Sequence, residues 1–169
     1  MRKFGLIGFP LTHSFSESYF QEKFFKEDIN GCQYQNHPIQ DLKTLRLLLE
    51  KENLSGFNVT IPYKENIIQF LDELSTEATA IGAVNTVVKK DEKWIGYNTD
   101  WIGFYESIKP LLQKHDKKAL VLGNGGASKA IVYALKKLKI EPLIISRKEG
   151  YTNYVEISKD LLAKYLIIV

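Results

Sequence analysis

Residues 118–128 read KALVLGNGGAS, an apolar run followed at once by glycines and a serine. The apolar run predicts a buried strand, and apolar residues at helical spacing over 127–138 predict a helix directly after the turn. Between a strand and a helix, such a turn presents backbone N–H groups and the helix dipole to a pyrophosphate. The predicted dinucleotide-binding residues are Gly123, Asn124, Gly125, Gly126, Ala127 and Ser128. The spacing G-x-G-G-A lacks the third glycine of the usual fingerprint, so a plain tight loop remains an alternative.

The strand predicted at residues 143–145 ends at Ser146, Arg147 and Lys148 rather than at an acidic residue. A carboxylate here would accept a hydrogen bond from the ribose 2′-OH of NAD. A guanidinium can instead hold the 2′-phosphate of NADP through paired, charge-assisted hydrogen bonds. These three residues therefore favour NADP over NAD as the cofactor. The alternative is that both cations are solvated loop charges.

Upstream of this segment, short β-rich runs alternate with stretches of helical period. That pattern predicts an α/β fold with a largely parallel sheet. The predicted strands cover 4–8, 32–37, 56–61, 83–89 and 93–97, and the predicted helices cover 17–26, 42–49, 63–74 and 99–112. The polar run at 113–118 predicts a domain boundary. Residues 1–112 then form a substrate-binding and catalytic domain that ends in a bridging helix, and residues 117–169 form part of a Rossmann-like domain.

Charge and cysteine content limit the classes of function. With 23 basic and 20 acidic residues, the net charge is +3, so no broad basic field for nucleic acid is expected. Cys32 is the only cysteine, which excludes an intramolecular disulfide and is ordinary for a reducing compartment. No apolar segment approaches the roughly 20 residues needed to cross a bilayer. We expect a cytoplasmic protein without a membrane partner, and the three scattered histidines predict no metal site.

Two polar segments flank strands near the amino terminus. In GFPLTHSFS (8–16), Ser14 and Ser16 flank the predicted start of a helix, where hydroxyls and unpaired N–H groups can meet an anion. In GFNVTIPYK (56–64), Asn58, Thr60 and Lys64 lie at the carboxyl end of a strand, where open α/β sheets bind ligands. Taken singly, a serine here is more often a helix cap and a lysine more often a solvated side chain.

Two further segments place polar groups where a core does not require them. Asn85 stands in the apolar run AVNTV, where a buried amide needs a hydrogen-bond partner. Asp100 begins the predicted bridging helix in GYNTDWIGF. The alternative to a functional role is a simple cap, a carboxylate that the helix dipole favours at this position.

Together, the segments GFPLTHSFS, NVTIPYK, AVNTV, GYNTDWIGF and GNGGAS resemble the shikimate dehydrogenase family in order and spacing, over the whole chain. The resemblance implies that Ser14 and Ser16 bind the substrate carboxylate and that Thr60 and Asn85 bind its ring hydroxyls. It further implies that Asn58 lies in the same pocket. The catalytic pair that the resemblance implies consists of Lys64 and Asp100.

The resemblance also implies an activity, the reversible NADPH-dependent reduction of 3-dehydroshikimate to shikimate in chorismate and aromatic amino-acid biosynthesis. Where this chain has Ser146-Arg147-Lys148, the family commonly has Asn-Arg-Thr, so the arginine is kept and the asparagine is not. The family pattern continues past Val169, so we expect the Rossmann-like domain to be incomplete. Two alternatives remain open, a quinate/shikimate dehydrogenase with relaxed cofactor use and a truncated homologue that only binds. The oligomeric state also remains open, a homodimer included.

Overall fold

The computed structural model describes all 169 residues, which form two compact units. The first unit contains Met1–Thr79 and Val84–Tyr97, and the second contains Ala80–Ala83 and Asn98–Val169. Both units combine helices with β-strands that pair mostly in parallel, so the predicted α/β fold is confirmed. None of the helices is both long and apolar enough to span a bilayer.

The first unit is built on a six-stranded sheet with the order β2-β1-β3-β5-β6-β4. Its strands are β1 (Arg2–Gly8), β2 (Cys32–Pro38), β3 (Gly56–Val59), β4 (Glu73–Leu74), β5 (Thr86–Lys90) and β6 (Lys93–Tyr97). The pairs β1–β2, β1–β3 and β4–β6 are parallel, whereas β3–β5 and β5–β6 are antiparallel. The predicted hairpin of β5 and β6 is confirmed, and its turn residues Asp91 and Glu92 both have positive φ, as two-residue hairpin turns require.

Three helices accompany this sheet along the chain, α1 (Ser16–Lys26), α2 (Leu45–Glu52) and α3 (Thr76–Ile81). The main core of the unit forms where α2 packs against one face of the sheet. Ile7 and Leu45 are completely buried there, together with Ile67 from a short 3-10 helix. The alternation of side chains along each strand turns Phe57 and Val59 into this core. Asn58 therefore faces the opposite side of the sheet.

The helix predicted over residues 63–74 is wrong. The chain forms a 3-10 helix over Asn66–Phe70 and then extends into the edge strand β4. Asp72 causes the change, because its carboxylate accepts from the Trp94 N–H at 2.7 Å and its own N–H donates to the Trp94 carbonyl at 2.9 Å. The Ser75 N–H then donates to the Gly96 carbonyl at 2.9 Å. Pairing with β6 thus outweighs the local helical preference, and the unpredicted helix α3 follows.

The second unit contains a parallel three-stranded sheet with the order β8-β7-β9. Its elements are α4 (Asp100–Ile108), β7 (Lys118–Leu122), α5 (Gly126–Lys137), β8 (Glu141–Ile145), α6 (Lys159–Leu162) and β9 (Ile167–Ile168). The core joins buried Val121 and Leu135 to the partly buried Phe104 of α4. The apolar stripe predicted on this helix included Ile102, which is 47% exposed. Trp101 packs inward instead, with its ring 5.2 Å from that of Tyr133.

Helix α4 belongs to the second unit because Trp101 and Phe104 pack against α5 and the core around β7. The domain boundary predicted at residues 113–118 therefore lies inside this unit. The assignment of substrate binding to residues 1–112 and of cofactor binding to residues 117–169 stays a prediction.

His37 on β2 is a partly buried histidine whose Nε2 atom has no hydrogen-bond partner. Its ring lies directly over Gly5, where an added Cβ would come within 2.5 Å of the His37 Cδ2. Burial lowers the pKa of His37 below its ordinary value of 6.5, and nearby Lys3 adds to this, while Glu52 and Glu17 oppose it. The folded state therefore holds the neutral imidazole more readily than the unfolded chain does.

We expect His37 to make the protein less stable as the pH falls below about 6.5, because the unfolded chain then binds more protons at this residue than the folded chain. The free energy of unfolding should be measured by urea titration at pH 8 and at pH 5.5. His37→Leu should lose less stability between the two pH values than the wild type. Equal pH dependence in His37→Leu and the wild type would refute the assignment.

Candidate active site

A cavity of about 440 Å³ in the first unit contains three of the predicted substrate-binding residues, Ser14, Ser16 and Thr60. Thr60 follows β3, and its N–H donates to the carbonyl of Ile7 on β1 at 2.9 Å. The cavity therefore lies at the carboxyl ends of two parallel strands, β1 and β3. Open α/β sheets bind ligands at this edge. The structure thus brings together residues that are separated by more than forty positions in the sequence.

The two serines flank the N-cap of α1, as predicted, because the N-cap residue is Phe15. Phe15 has no side-chain oxygen, so the N-cap residue itself makes no side-chain hydrogen bond to the first turn. The Ser16 N–H donates to the Ser14 Oγ at 3.3 Å, so this hydroxyl is held at the first turn. A helix amino terminus carries partial positive charge and unpaired N–H groups, which favours a carboxylate or another anion.

The two loops that border this cavity approach each other closely. The Phe9 N–H donates to the Ile61 carbonyl at 3.1 Å, which ties the loop after β1 to the loop after β3. At Gly8, an added Cβ would lie 2.4 Å from the Thr60 Cγ2 and 2.9 Å from the Ile61 carbonyl oxygen. Glycine is therefore required at position 8 by the close approach of Thr60 and the backbone.

Gly8→Ala is expected to lower the free energy of unfolding by about 1–3 kcal/mol, because the methyl group must displace both Thr60 and a backbone carbonyl. Urea denaturation of the variant and the wild type measures the change. Gly103→Ala is the matched control, since its added Cβ meets nothing within 4 Å and α4 is helical there. It should stabilise the protein by about 0.5–1 kcal/mol. A Gly8→Ala variant as stable as the wild type would contradict the argument.

Asn58 and Asn85 are joined by hydrogen bonds on the face of the sheet opposite the main core. The Asn58 Nδ2 donates to the Asn85 carbonyl at 3.3 Å and to the Thr86 Oγ1 at 3.2 Å. Its Oδ1 accepts from the Tyr34 hydroxyl at 2.9 Å. Asn85 is 9% exposed, and the Thr86 hydroxyl donates to its Oδ1 at 3.1 Å. Sequence analysis missed Tyr34 and Thr86, and only Thr86, adjacent to Asn85, offered any signal.

Lys64 and Asp100 lie in different units, and each is anchored within its own. Lys64 is half-buried in the turn after β3, and its carbonyl accepts from the Val84 N–H at 2.7 Å, next to Asn85. Asp100 is the first residue of α4, and its N–H donates to the Asn98 Oδ1 at 3.0 Å. Asn98 is buried and also donates to the Ala83 carbonyl at 3.0 Å. The pairing of Lys64 with Asp100 stays a prediction.

The glycine turn between β7 and α5 has the predicted form. Gly123 has φ of +120°, a backbone conformation that favours glycine, and its N–H donates to the Ile145 carbonyl at 2.8 Å. Gly125 is the N-cap of α5 and offers no side chain to the first-turn N–H groups. Ser128 is buried, and its hydroxyl donates to the Gly125 carbonyl at 2.7 Å. The amino terminus of α5 is thus built to take an external acceptor such as a phosphate.

The three predicted residues of the loop after β8 differ in burial. Ser146 is 4% exposed, its Oγ accepts from the Lys148 N–H at 3.1 Å, and its own N–H donates to the Thr152 carbonyl at 2.9 Å. This serine shapes the loop. Arg147 and Lys148 are exposed, so their charges are accessible to a phosphate.

Comparison with known proteins shows what this chain is similar to. Residues 6–87 match the family model described as the shikimate dehydrogenase substrate binding domain. A shikimate dehydrogenase (NADP(+)) of Staphylococcus epidermidis is 39% identical over 148 residues, which are 86% of this chain and 55% of that relative. The crystal structure of shikimate dehydrogenase 1 from Peptoclostridium difficile superimposes with a TM-score of 0.81 at 34% identity, covering 100% of this chain and 60% of that one.

A further solved structure carries ligands. Shikimate 5-dehydrogenase from Thermus thermophilus, in complex with NADP(H) and shikimate, is 31% identical with a TM-score of 0.76, over 100% of this chain and 63% of that one. This chain therefore spans little more than half the length of the relatives that it matches. In its matched domain, its relatives and its fold, the chain is similar to the shikimate dehydrogenases.

Proposed function

We propose that this chain is part of an NADP-dependent shikimate dehydrogenase, an oxidoreductase that reversibly reduces 3-dehydroshikimate to shikimate in chorismate and aromatic amino-acid biosynthesis. The observation that carries the proposal is the cavity at the amino terminus of α1, which gathers Ser14, Ser16 and Thr60. Residues 1–112 would bind the substrate and supply the catalytic groups, and residues 117–169 would begin a Rossmann-like cofactor domain. The enzyme would act in the cytoplasm on small molecules.

In this proposal, the substrate carboxylate binds to the Ser14 and Ser16 hydroxyls at the positive end of the α1 dipole. Thr60 borders the same cavity and would bind a ring hydroxyl, as would Asn85. A ring without these hydroxyls would leave the polar groups of the site unpaired, which discriminates strongly against such a ligand. The specificity would therefore be for a cyclic hydroxy acid.

The proposed chemistry depends on Lys64 and Asp100. Reduction of a ketone produces negative charge on the carbonyl oxygen, so the site needs a cationic donor there and a proton to deliver. Lys64 would donate to this oxygen and transfer the proton in the reductive direction. Asp100 would fix the direction of the Lys64 ammonium and share its proton. Because the two groups interact, a pH–rate profile reports on the pair rather than on either residue.

The cofactor site would be formed by two segments of the second unit. Residues 123–128 would receive the pyrophosphate at the amino terminus of α5, and Arg147 and Lys148 would hold the 2′-phosphate. Ser146 would hold the backbone of this loop through the hydrogen bond that its Oγ accepts from the Lys148 N–H. When bound, NADP would supply the hydride-transferring nicotinamide.

A second candidate is a protein that binds shikimate without turnover. The observation that favours it is the match of residues 6–87 to a model described as a substrate binding domain.

One experiment separates these functions. Material of known intact mass should be assayed for reduction of NADP⁺ and of NAD⁺ with shikimate and with quinate in parallel, and for shikimate binding by calorimetry. Reduction of NADP⁺ with shikimate is the expected result. Binding without turnover would favour the second candidate, and turnover of quinate with NAD⁺ would replace the proposal with a quinate/shikimate dehydrogenase. A protein that neither binds shikimate nor turns it over would refute all three functions.

A further inference from the structure

A chain of hydrogen bonds runs across the sheet of the first unit from β2 to Asn85. The Tyr34 hydroxyl donates to the Asn58 Oδ1 at 2.9 Å. The Asn58 Nδ2 donates to the Thr86 Oγ1 at 3.2 Å, and the Thr86 hydroxyl donates to the Asn85 Oδ1 at 3.1 Å. Every bond in this series points the same way, from Tyr34 toward Asn85.

One backbone carbonyl determines the orientation of the Asn58 carboxamide, and with it the direction of the bond from Tyr34. The carbonyl of Asn85 can only accept, so the atom of the Asn58 carboxamide that faces it at 3.3 Å must be Nδ2. The Oδ1 of Asn58 then faces Tyr34, which must donate. The Thr86 hydroxyl accepts from this Nδ2 and donates to the Asn85 Oδ1.

The series begins at Tyr34, whose side chain is held in place by packing. Its side chain is 2% exposed, and its ring stacks on Phe20 with the centroids 4.3 Å apart. Burial raises the pKa of the Tyr34 hydroxyl well above its usual value, so this group remains a donor throughout the physiological range. Aligned hydrogen bonds in a low-dielectric interior also strengthen one another.

We propose that Tyr34, Asn58 and Thr86 are positioning residues that hold the Asn85 carboxamide with its Nδ2 turned toward the substrate, as a hydrogen-bond donor to a ring hydroxyl. The inference rests on the proposed function, which places Asn85 at the substrate. It also changes the role of Asn58. Both Nδ2 hydrogens of Asn58 are already donated to Asn85 and Thr86, so Asn58 acts behind the site and does not donate to the substrate.

The test is shikimate binding to the full 169-residue chain, measured by calorimetry. Tyr34→Phe removes only the hydroxyl, and it should weaken binding roughly 3- to 10-fold, the range for one buried hydrogen bond. In an Asn85→Ala background the same substitution should cause no further loss. In a Ser14→Ala background it should cause its full loss, because Ser14 is not part of the series.

Two variants guard against a purely structural explanation. Thr86→Val keeps the shape of the side chain but removes the bond to the Asn85 Oδ1, and it should reproduce the loss even if Tyr34→Phe fails to fold. Tyr63→Phe is the matched control, because Tyr63 is also buried and its hydroxyl donates to the Ile39 carbonyl at 2.7 Å, outside the series. Its effect on affinity should be the same with and without Asn85.

The outcomes separate the inference from the proposed function. A wild-type chain that does not bind shikimate overturns the proposed function and the inference with it. A wild-type chain that binds, together with Tyr34→Phe and Thr86→Val variants of unchanged affinity, overturns the inference alone. So does an equal loss from Tyr34→Phe in the presence and absence of the Asn85 side chain.

Discussion

Replacing Lys64 by alanine is expected to lower kcat for NADP⁺ reduction with shikimate by about 100-fold or more, with a modest change in KM. The reacting oxygen passes between a neutral carbonyl and an alkoxide-like state, and the Lys64 ammonium would stabilise that state and transfer the proton. Substrate binding would rest on other groups, the Ser14, Ser16 and Thr60 side chains that line the cavity. The loss should therefore fall on kcat, as expected for an interaction made mainly in the transition state.

Lys89→Ala is the matched control for this variant. Lys89 is also half-buried, with 30% of its side chain exposed, but it pairs with Glu92 at the turn between β5 and β6. That turn is at the far end of β5 from Asn85, so kcat should not change. Circular dichroism should show that both variants are folded. A folded Lys64→Ala protein with the kcat of the wild type would exclude Lys64 from the chemistry.

Arg147→Ala is expected to reduce the preference for NADPH over NADH, measured as a ratio of kcat/KM values, by roughly 10- to 100-fold. The guanidinium would make charge-assisted hydrogen bonds to the 2′-phosphate, which NADH lacks, so the loss should appear with NADPH alone. Arg147 is exposed at the end of β8, and no acidic residue stands in the adjacent positions 146 and 148. The backbone of this loop is held by Ser146 and should survive the substitution.

The control for Arg147→Ala is Arg46→Ala, which removes an equally exposed arginine from α2 in the first unit. It should leave the ratio of kcat/KM values for NADPH and NADH unchanged. This result would show that the effect of Arg147→Ala does not come from a general loss of positive charge. Wild-type protein that prefers NADH, or an Arg147→Ala variant with an unchanged ratio, would contradict the assignment of the 2′-phosphate to this residue.

Local sequence was sufficient for the elements whose determinants are close together in the chain. The strand β7, the glycine turn and helix α5 follow from apolar spacing and from the backbone freedom of Gly123. The β5–β6 hairpin likewise follows from two β-rich runs separated by polar residues that accept positive φ. In each of these cases, the residues that decide the conformation lie within a few positions of one another.

The wrong predictions for residues 63–74 and for the buried side of α4 have a common cause. In both places, contacts between distant parts of the chain decide the structure. Residues 71–74 carry a helical pattern, yet the hydrogen bonds of Asp72 with Trp94 and of Ser75 with Gly96 draw them to the sheet edge. On α4, the apolar spacing alone favoured Ile102, whereas the packing of Trp101 on Tyr133 decided which side is buried. The partners in these contacts lie about twenty or thirty residues away, where local pattern carries no information.

By itself, the sequence determined the α/β class, most of the strands and helices, the glycine turn and the identity of the polar residues. Only the tertiary structure placed Ser14, Ser16 and Thr60 in one cavity. It alone also connected Tyr34 to Asn58, and Asn58 to Asn85, through hydrogen bonds. The physical reason is that backbone conformation depends on neighbours along the chain, whereas a cavity or a hydrogen-bond direction depends on strands that the sheet brings side by side.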